Sequence, residues 1–205
     1  MAQAVERVIV HSDYEGAKLG MWFFLFTELL LFGGLFVLYS VYRSWHIPEF
    51  RIASGELNRT IGTLNTLVLL TSSLFVALSI HFLKEGKIRA SKIFLLLTII
   101  LGLVFIVNKV FEWGAKFEHG IYPGSELLLK NSSGEVLFYG LYFTMTGLHG
   151  LHVLAGVIVL SGILWFISIE KINRERFVVL ENAGLYWHFV DIIWVFLFPL
   201  FYLIA

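Results

Sequence analysis

Cysteine is absent from the sequence. Thiol redox chemistry, disulfides and Cys-ligated metal are thereby excluded, while the compartment stays unread. Charge is scarce: Lys, Arg, Asp and Glu together make 15% of the 205 residues, and the two signs cancel to a net charge of zero. No run of Lys or Arg invites nucleic acid. Missing too are a nucleotide-binding glycine loop, a flavin fingerprint, a Ser/His/Asp arrangement, an internal repeat, a low-complexity tail and a polar stretch long enough for a soluble domain. Residues 1–19, MAQAVERVIVHSDYEGAKL, contain no apolar core of signal length. The first long apolar run is therefore expected to remain in the mature protein.

Apolar bulk is what the chain has. Hydrophobic residues make up 58%, including 20 Phe, 6 Trp and 8 Tyr. The apolar runs fall at 20–42, 61–83, 91–113, 137–168 and 184–204. Each reaches the roughly 20 residues that cross about 30 Å of hydrocarbon as a helix, and helices satisfy their own backbone groups in lipid. The expectation is an all-α integral membrane protein, a single domain over 1–205 with five transmembrane helices. The fourth run is too long for a simple span and should tilt or project from the bilayer. KEGKIRAS makes the second and third spans a tight hairpin, and residues 114–136 form the longest loop.

Five spans place the termini on opposite sides. One side would hold Arg7, Lys18, Lys84, Lys87, Arg89, Lys92, Lys171, Arg174 and Arg176. The other would hold Arg43, Arg51, Arg59, Lys116 and Lys130. This bias puts the amino terminus in the cytoplasm and the carboxyl terminus outside.

Ionisable groups at membrane depth are costly and need partners. Glu28 lies about 12 Å into the first span by helical rise, so it is protonated or paired. His188 and Asp191 share a face of the last helix at a similar depth, which suggests a network with Glu28. Asn108, Lys109 and Glu112 form a polar cluster at the outer end of the third span. There Lys109 can pair with Glu112 or extend to the headgroups. His149 and His152, in TGLHGLHVLAG, share one helix face next to Gly147, Gly150 and Gly156. Small residues permit close helix approach, and imidazoles can bond across it. Two histidines on one face cannot both be opposite axial ligands of one haem. A haem-b anchor would need further ligands, yet His11, His46 and His119 lie in polar segments and His81 at a helix end. A metal centre drawing on His149, His152, Glu112 or His188 meets disagreeing depths. A transporter would be expected to show repeats or broken helices. No catalytic residue and no metal ligand is assigned, and the residues favour a small subunit that packs against membrane partners.

Several stretches, in order, resemble subunit III of the haem–copper oxygen reductases, the cytochrome c and quinol oxidases. They are LGMWFFLFTELLLFGGLFVLY (19–39), LNTLVLLTSSLFVALS (64–79), FEWGAKFEHGIYPGS (111–125), FYGLYFTMTGLHGLHVLAGVIVL (138–160) and YWHFVDIIWVFLF (186–198). The likeness runs from about Gly20 to Tyr202. It implies the short five-helix bacterial form, a V-shaped split bundle in the cytoplasmic membrane that binds phospholipids and no haem or copper of its own. The haems and copper belong to partner subunits. Subunit I is the direct partner, with subunit II and a small subunit IV in the same complex. Such a chain is an accessory subunit of a proton-pumping terminal oxidase in aerobic electron transport, supporting sustained turnover. Glu28 matches the family's membrane-buried, carbodiimide-reactive glutamate, and His149, His152, His188 and Asp191 match signature positions. Cytochrome c oxidase is the expected complex. A quinol oxidase and a subunit III-like partner of nitric oxide reductase are the alternatives, and a haem-b anchor or transporter is a more distant one.

Overall fold

The computed structural model describes the backbone of residues 2–204 and the side chains of residues 14–204, so the Arg7 and His11 side chains lie outside the described residues. Helix α1 runs over Ala2–Trp45, α2 over Ile47–Gly55, α3 over Arg59–Lys84, α4 over Ile88–Glu118, α5 over Ser133–Ser168 and α6 over Val178–Tyr202. A single 3-10 turn covers Leu128–Lys130, and the described residues contain no strand. Five helices are long and apolar enough to cross a membrane: Tyr14–Trp45 of α1, and α3, α4, α5 and α6. Each begins before the apolar run that marks it, because helical backbone bonding does not wait for the side chains to turn apolar. α4 extends to Glu118 and α5 begins at Ser133, which shortens the long loop.

Local chemistry sets the ends. Asn58 caps α3 by accepting from the Ile61 N–H at 3.1 Å. Ser132 caps α5 by accepting from the Glu135 N–H at 3.4 Å, and its hydroxyl donates to the Glu135 carboxylate at 3.1 Å. The Asn-Ser-Ser triplet at 131–133 thus starts a helix, with Asn131 also donating to Glu135 at 2.8 Å. Gly86, at φ +79°, closes the α3–α4 hairpin in the left-handed conformation that favours glycine. At that turn Lys87 bonds the Glu85 carboxylate at 2.7 Å and holds it below the usual carboxylate range.

α3 and α4 pack as an antiparallel pair along a seven-residue pattern. The buried positions of α3 include Gly62, Asn65, Leu69, Ser72, Val76, Ser79 and Leu83. Those of α4 include Ser91, Leu95, Thr98, Gly102, Phe105, Lys109 and Glu112. Spacings of alternating three and four keep one stripe facing the partner. Small polar residues meet across it: Ser79 with Ser91 at 3.1 Å, Thr98 with the Ser72 carbonyl at 3.4 Å, and Asn108 with Asn65 at 2.8 Å. In lipid, small residues and interhelical hydrogen bonds do the work that hydrophobic burial does in water.

α3, α4, α5 and α6 contact one another in a ring, α3 on α4, α4 on α5, α5 on α6 and α6 on α3. α1 stands outside that ring against α5 and α6. The short α2, absent from the sequence reading, folds back under the end of α6. Ser54 of α2 donates to the Phe201 carbonyl at 2.6 Å, and the Tyr39 hydroxyl of α1 donates to the Leu200 carbonyl. Both serve the last turn of α6, whose carbonyls have no partner within the helix.

Candidate functional site

Two hydrogen-bonded polar clusters join helices at different heights in the bundle. At the α2 end, Lys109 is drawn inward and is only 6% exposed, as is Glu112. Its ammonium donates to Glu112 at 2.9 Å and to the hydroxyls of Tyr142 and Tyr202 at 3.0 Å each. Both tyrosines in turn donate to the other Glu112 oxygen, at 3.0 and 2.6 Å. The ion pair is thus closed by helices α4, α5 and α6 together. The headgroup-seeking alternative for Lys109 is not what the side chain does, because two phenols and a carboxylate already satisfy its three N–H donors. The rings of Tyr142 and Trp194 also lie within 4.9 and 5.4 Å of the ammonium. Asn108 is turned away from this cluster toward Asn65.

At middle height, Glu28 of α1 meets His152 of α5, Oε2 to Nε2 at 2.9 Å. The other ring nitrogen of His152 lies 2.7 Å from the Leu148 carbonyl. A carbonyl only accepts, so that nitrogen carries a hydrogen. The Glu28–His152 contact is then either a carboxylic acid donating to the ring or a carboxylate accepting from imidazolium. Both share one proton and carry no net charge, which makes the pair tolerable in lipid. Phe32 stands edge-on to His152 at 5.4 Å, and Phe24 lies 5.9 Å from Tyr186, so residues 24, 28 and 32 form one face of α1 toward α5 and α6. The Tyr186 hydroxyl donates to the His152 carbonyl at 2.9 Å.

The network of Glu28 with His188 and Asp191 does not form. Similar depth does not fix azimuth. His188 points to α3, where its Nδ1 and the Ser73 hydroxyl lie 2.5 Å apart. Asp191 is 3% exposed, and neither carboxylate oxygen has a hydrogen-bond partner among the described residues. His149 differs from His152 although both sit on α5. It is fully buried, edge-on to Phe105 at 5.4 Å and tilted over Trp194 at 5.1 Å, with no hydrogen bond to either ring nitrogen among the described residues.

Gly156 of the HGLHVLAG stretch serves packing, and Gly147 just before that stretch meets Trp113, whereas a Cβ on Gly150 would meet nothing within 4 Å, so no helix approaches closely there. Trp187 of α6 enters a notch made by Gly156 of α5 and Gly102 of α4, and its indole N–H donates to Ser72 of α3 at 3.0 Å. A Cβ on Gly156 would stand 2.7 Å from the indole ring, and one on Gly102 would stand 2.7 Å from it as well. One side chain thereby ties the four helices of the ring. Among the described residues no three His, Asp or Glu converge in a metal-holding group.

Sequence reasoning missed Tyr142, Tyr202, Ser73 and Asn65. The signal for the tyrosines was present: a phenol inside an apolar helix brings a hydroxyl that needs a partner. Ser73 and Asn65 look unremarkable until the α3 stripe is laid out.

The sequence profile described as cytochrome c oxidase subunit III matches residues 8–205. The chain belongs to that family. Among its relatives, the cytochrome c oxidase subunit 3 of Thermostichus vulcanus is 31% identical over 205 residues, covering 100% of this chain and 94% of the relative. The probable quinol oxidase subunit 3 of Staphylococcus saprophyticus is 27% identical over 92% of this chain and 89% of its own length. The cytochrome bo(3) ubiquinol oxidase subunit 3 of Buchnera aphidicola is 31% identical over 90% of this chain and 92% of its own. The molecule is therefore a multi-pass membrane protein and subunit III of a haem–copper oxidase, part of a terminal oxidase complex of the cytochrome c or quinol type.

Proposed function

We propose that this subunit III is the non-redox accessory subunit of a cytochrome c oxidase in a bacterial cytoplasmic membrane. It packs directly on subunit I, within a complex that also holds subunit II and a small subunit IV. The haems and copper sit in those partners, and this chain helps the catalytic subunit survive repeated turnover. The observation that carries the reading is the use of the buried polar groups. Lys109, Glu112, Tyr142 and Tyr202 satisfy one another, and Glu28 and His152 bind α1 to the ring. These groups hold helices together and build a scaffold.

Lipid supports the same role. Trp22, Phe26, Phe36, Phe189, Ile192 and Phe196 line an apolar groove of about 470 Å³ between α1 and α6. Its size and lining suit acyl chains. The amino terminus is assigned to the cytoplasm because Lys18, Lys84, Lys87, Arg89, Lys92, Lys171, Arg174 and Arg176 gather at the Gly86 end.

Cytochrome c is preferred as the donor because the Thermostichus vulcanus relative matches along the whole chain. A quinol oxidase is the second reading, favoured by the Staphylococcus and Buchnera relatives. The test is to compare the purified complex with and without this chain, using reduced cytochrome c and quinol in turn. Cytochrome c should be the oxidised donor. Removal should leave the initial rate of oxygen consumption intact and shorten the time over which it lasts. Loss of all activity from the first turnover, with haem retained, would contradict the accessory role.

A further inference from the structure

Lys116, near the end of α4, is drawn into the bundle without being fully bonded. Its side chain is only 14% exposed. Among the described residues its ammonium makes one hydrogen bond, to the Glu56 carbonyl at 3.1 Å, and it stays 3.8 Å from the Glu56 carboxylate, beyond hydrogen-bond reach. An ammonium carries three N–H donors, and a charge so nearly buried is costly while donors lack partners. Glu56 is more open, with 48% of its side chain exposed. Its Oε2 accepts from the Tyr139 hydroxyl at 2.5 Å, which leaves Oε1 for a further partner.

Both residues line a pocket of about 590 Å³, with Asn58, Ile61, Phe111 and His119. It sits where α3 begins and α4 ends, the level at which these two spans leave the bilayer. Glu112 also borders it, but Lys109 already balances that charge. The pocket thus offers one ammonium and one carboxylate beside an apolar wall. Exposed apolar side chains continue from that wall along the seam of the two helices: Phe111, Val107 and Val104 on α4 at spacings of four and three, and Leu64 on α3. This seam is on the part of the ring that α1 does not touch, away from the α1–α6 groove.

We propose that this pocket holds the headgroup of a zwitterionic phospholipid whose ammonium carries N–H groups, phosphatidylethanolamine. The lipid phosphate takes the remaining N–H donors of Lys116, and the lipid ammonium donates to the Glu56 carboxylate. An acyl chain follows Phe111, Leu64, Val107 and Val104 toward the middle of the bilayer. Charge decides between headgroups. One side chain of each sign matches a headgroup carrying both, whereas an anionic lipid leaves Glu56 without a counter-charge. A choline headgroup keeps the positive charge and has no N–H to donate. The apolar seam selects a molecule with a tail over a soluble zwitterion.

The test uses the whole purified complex in mild detergent with a trace of phosphatidylethanolamine that carries a photoreactive acyl chain. Illumination is expected to label the segment 104–121. Unlabelled phosphatidylethanolamine should compete that label away about tenfold more effectively than phosphatidylcholine or phosphatidylglycerol, the effect of one charge-assisted hydrogen bond. Lys116→Gln should weaken the labelling about tenfold on the same ground. Glu56→Gln should abolish the preference for ethanolamine over choline. Labelling along the α1–α6 groove should be the same in both variants. The competition on the parent complex decides the matter even where a variant fails to assemble. Equal competition by the three lipids would overturn the proposal. So would labelling that Lys116→Gln leaves unchanged, or no label on 104–121, the result if another subunit covers the pocket.

Discussion

Replacing Glu112 by Ala is expected to destabilise the subunit by about 3–5 kcal/mol, the range for breaking one partner of a buried ion pair. The ammonium of Lys109 would keep its burial and lose its counter-charge. Its two remaining partners are phenols, which hydrogen-bond an ammonium and do not neutralise it. The Tyr142 and Tyr202 hydroxyls would lose their shared acceptor as well. Lys109→Met in the same background should recover much of the loss, because a neutral side chain of similar length to lysine removes the unpaired buried charge. The measurement is thermal unfolding of the purified complex in mild detergent, for the parent, the two single variants and the double. A Glu112→Ala subunit as stable as the parent would show that Lys109 reaches the headgroups after all.

The second large effect belongs to Gly156. Gly156→Leu forces a side chain into the space of the Trp187 indole, and overpacking of this kind costs typically 1–3 kcal/mol, occasionally more. Here the upper part of that range is expected. The ring cannot retreat, since Gly102 receives its other side and Ser72 holds its N–H. Trp187→Leu alone should also destabilise, by leaving a cavity. Combining the two should be milder than the sum of the singles, as the new leucine fills part of the vacated volume. The yield of subunit retained in the complex reports the cycle. Strict additivity would mean that Gly156 and Trp187 do not share a contact.

These cases show what was legible in the sequence. The five spans could be read because roughly twenty apolar residues in a row have few other uses. The importance of HGLH and YWHFVD could be read from polar residues set in apolar helices. Their partners could not. Glu28, His188 and Asp191 agree in depth, yet depth is one coordinate, and the face of α1 that carries Glu28 turns to α5. The Lys109–Glu112 pair was visible from its spacing of three, but its burial depends on Tyr142 and Tyr202, which are 33 and 93 residues further along. α2 escaped notice because nine residues without a strong apolar stripe resemble a loop until Ser54 and Phe50 are seen against α6 and α5. His149 and His152 lie one turn apart, and the neighbours of each separate them: aromatic rings around one, a carboxyl beside the other.

The claim that this chain is a colourless partner of a haem-bearing subunit is open to direct test. A tagged copy should be purified from its native membrane in mild detergent, its partners identified by mass, and the visible spectrum followed as the chain is stripped from the complex. The large haem–copper subunit should travel with it, and all haem absorbance should remain with that subunit after separation. A haem spectrum that follows the isolated chain, or a chain that never meets a haem-bearing partner, would contradict the account.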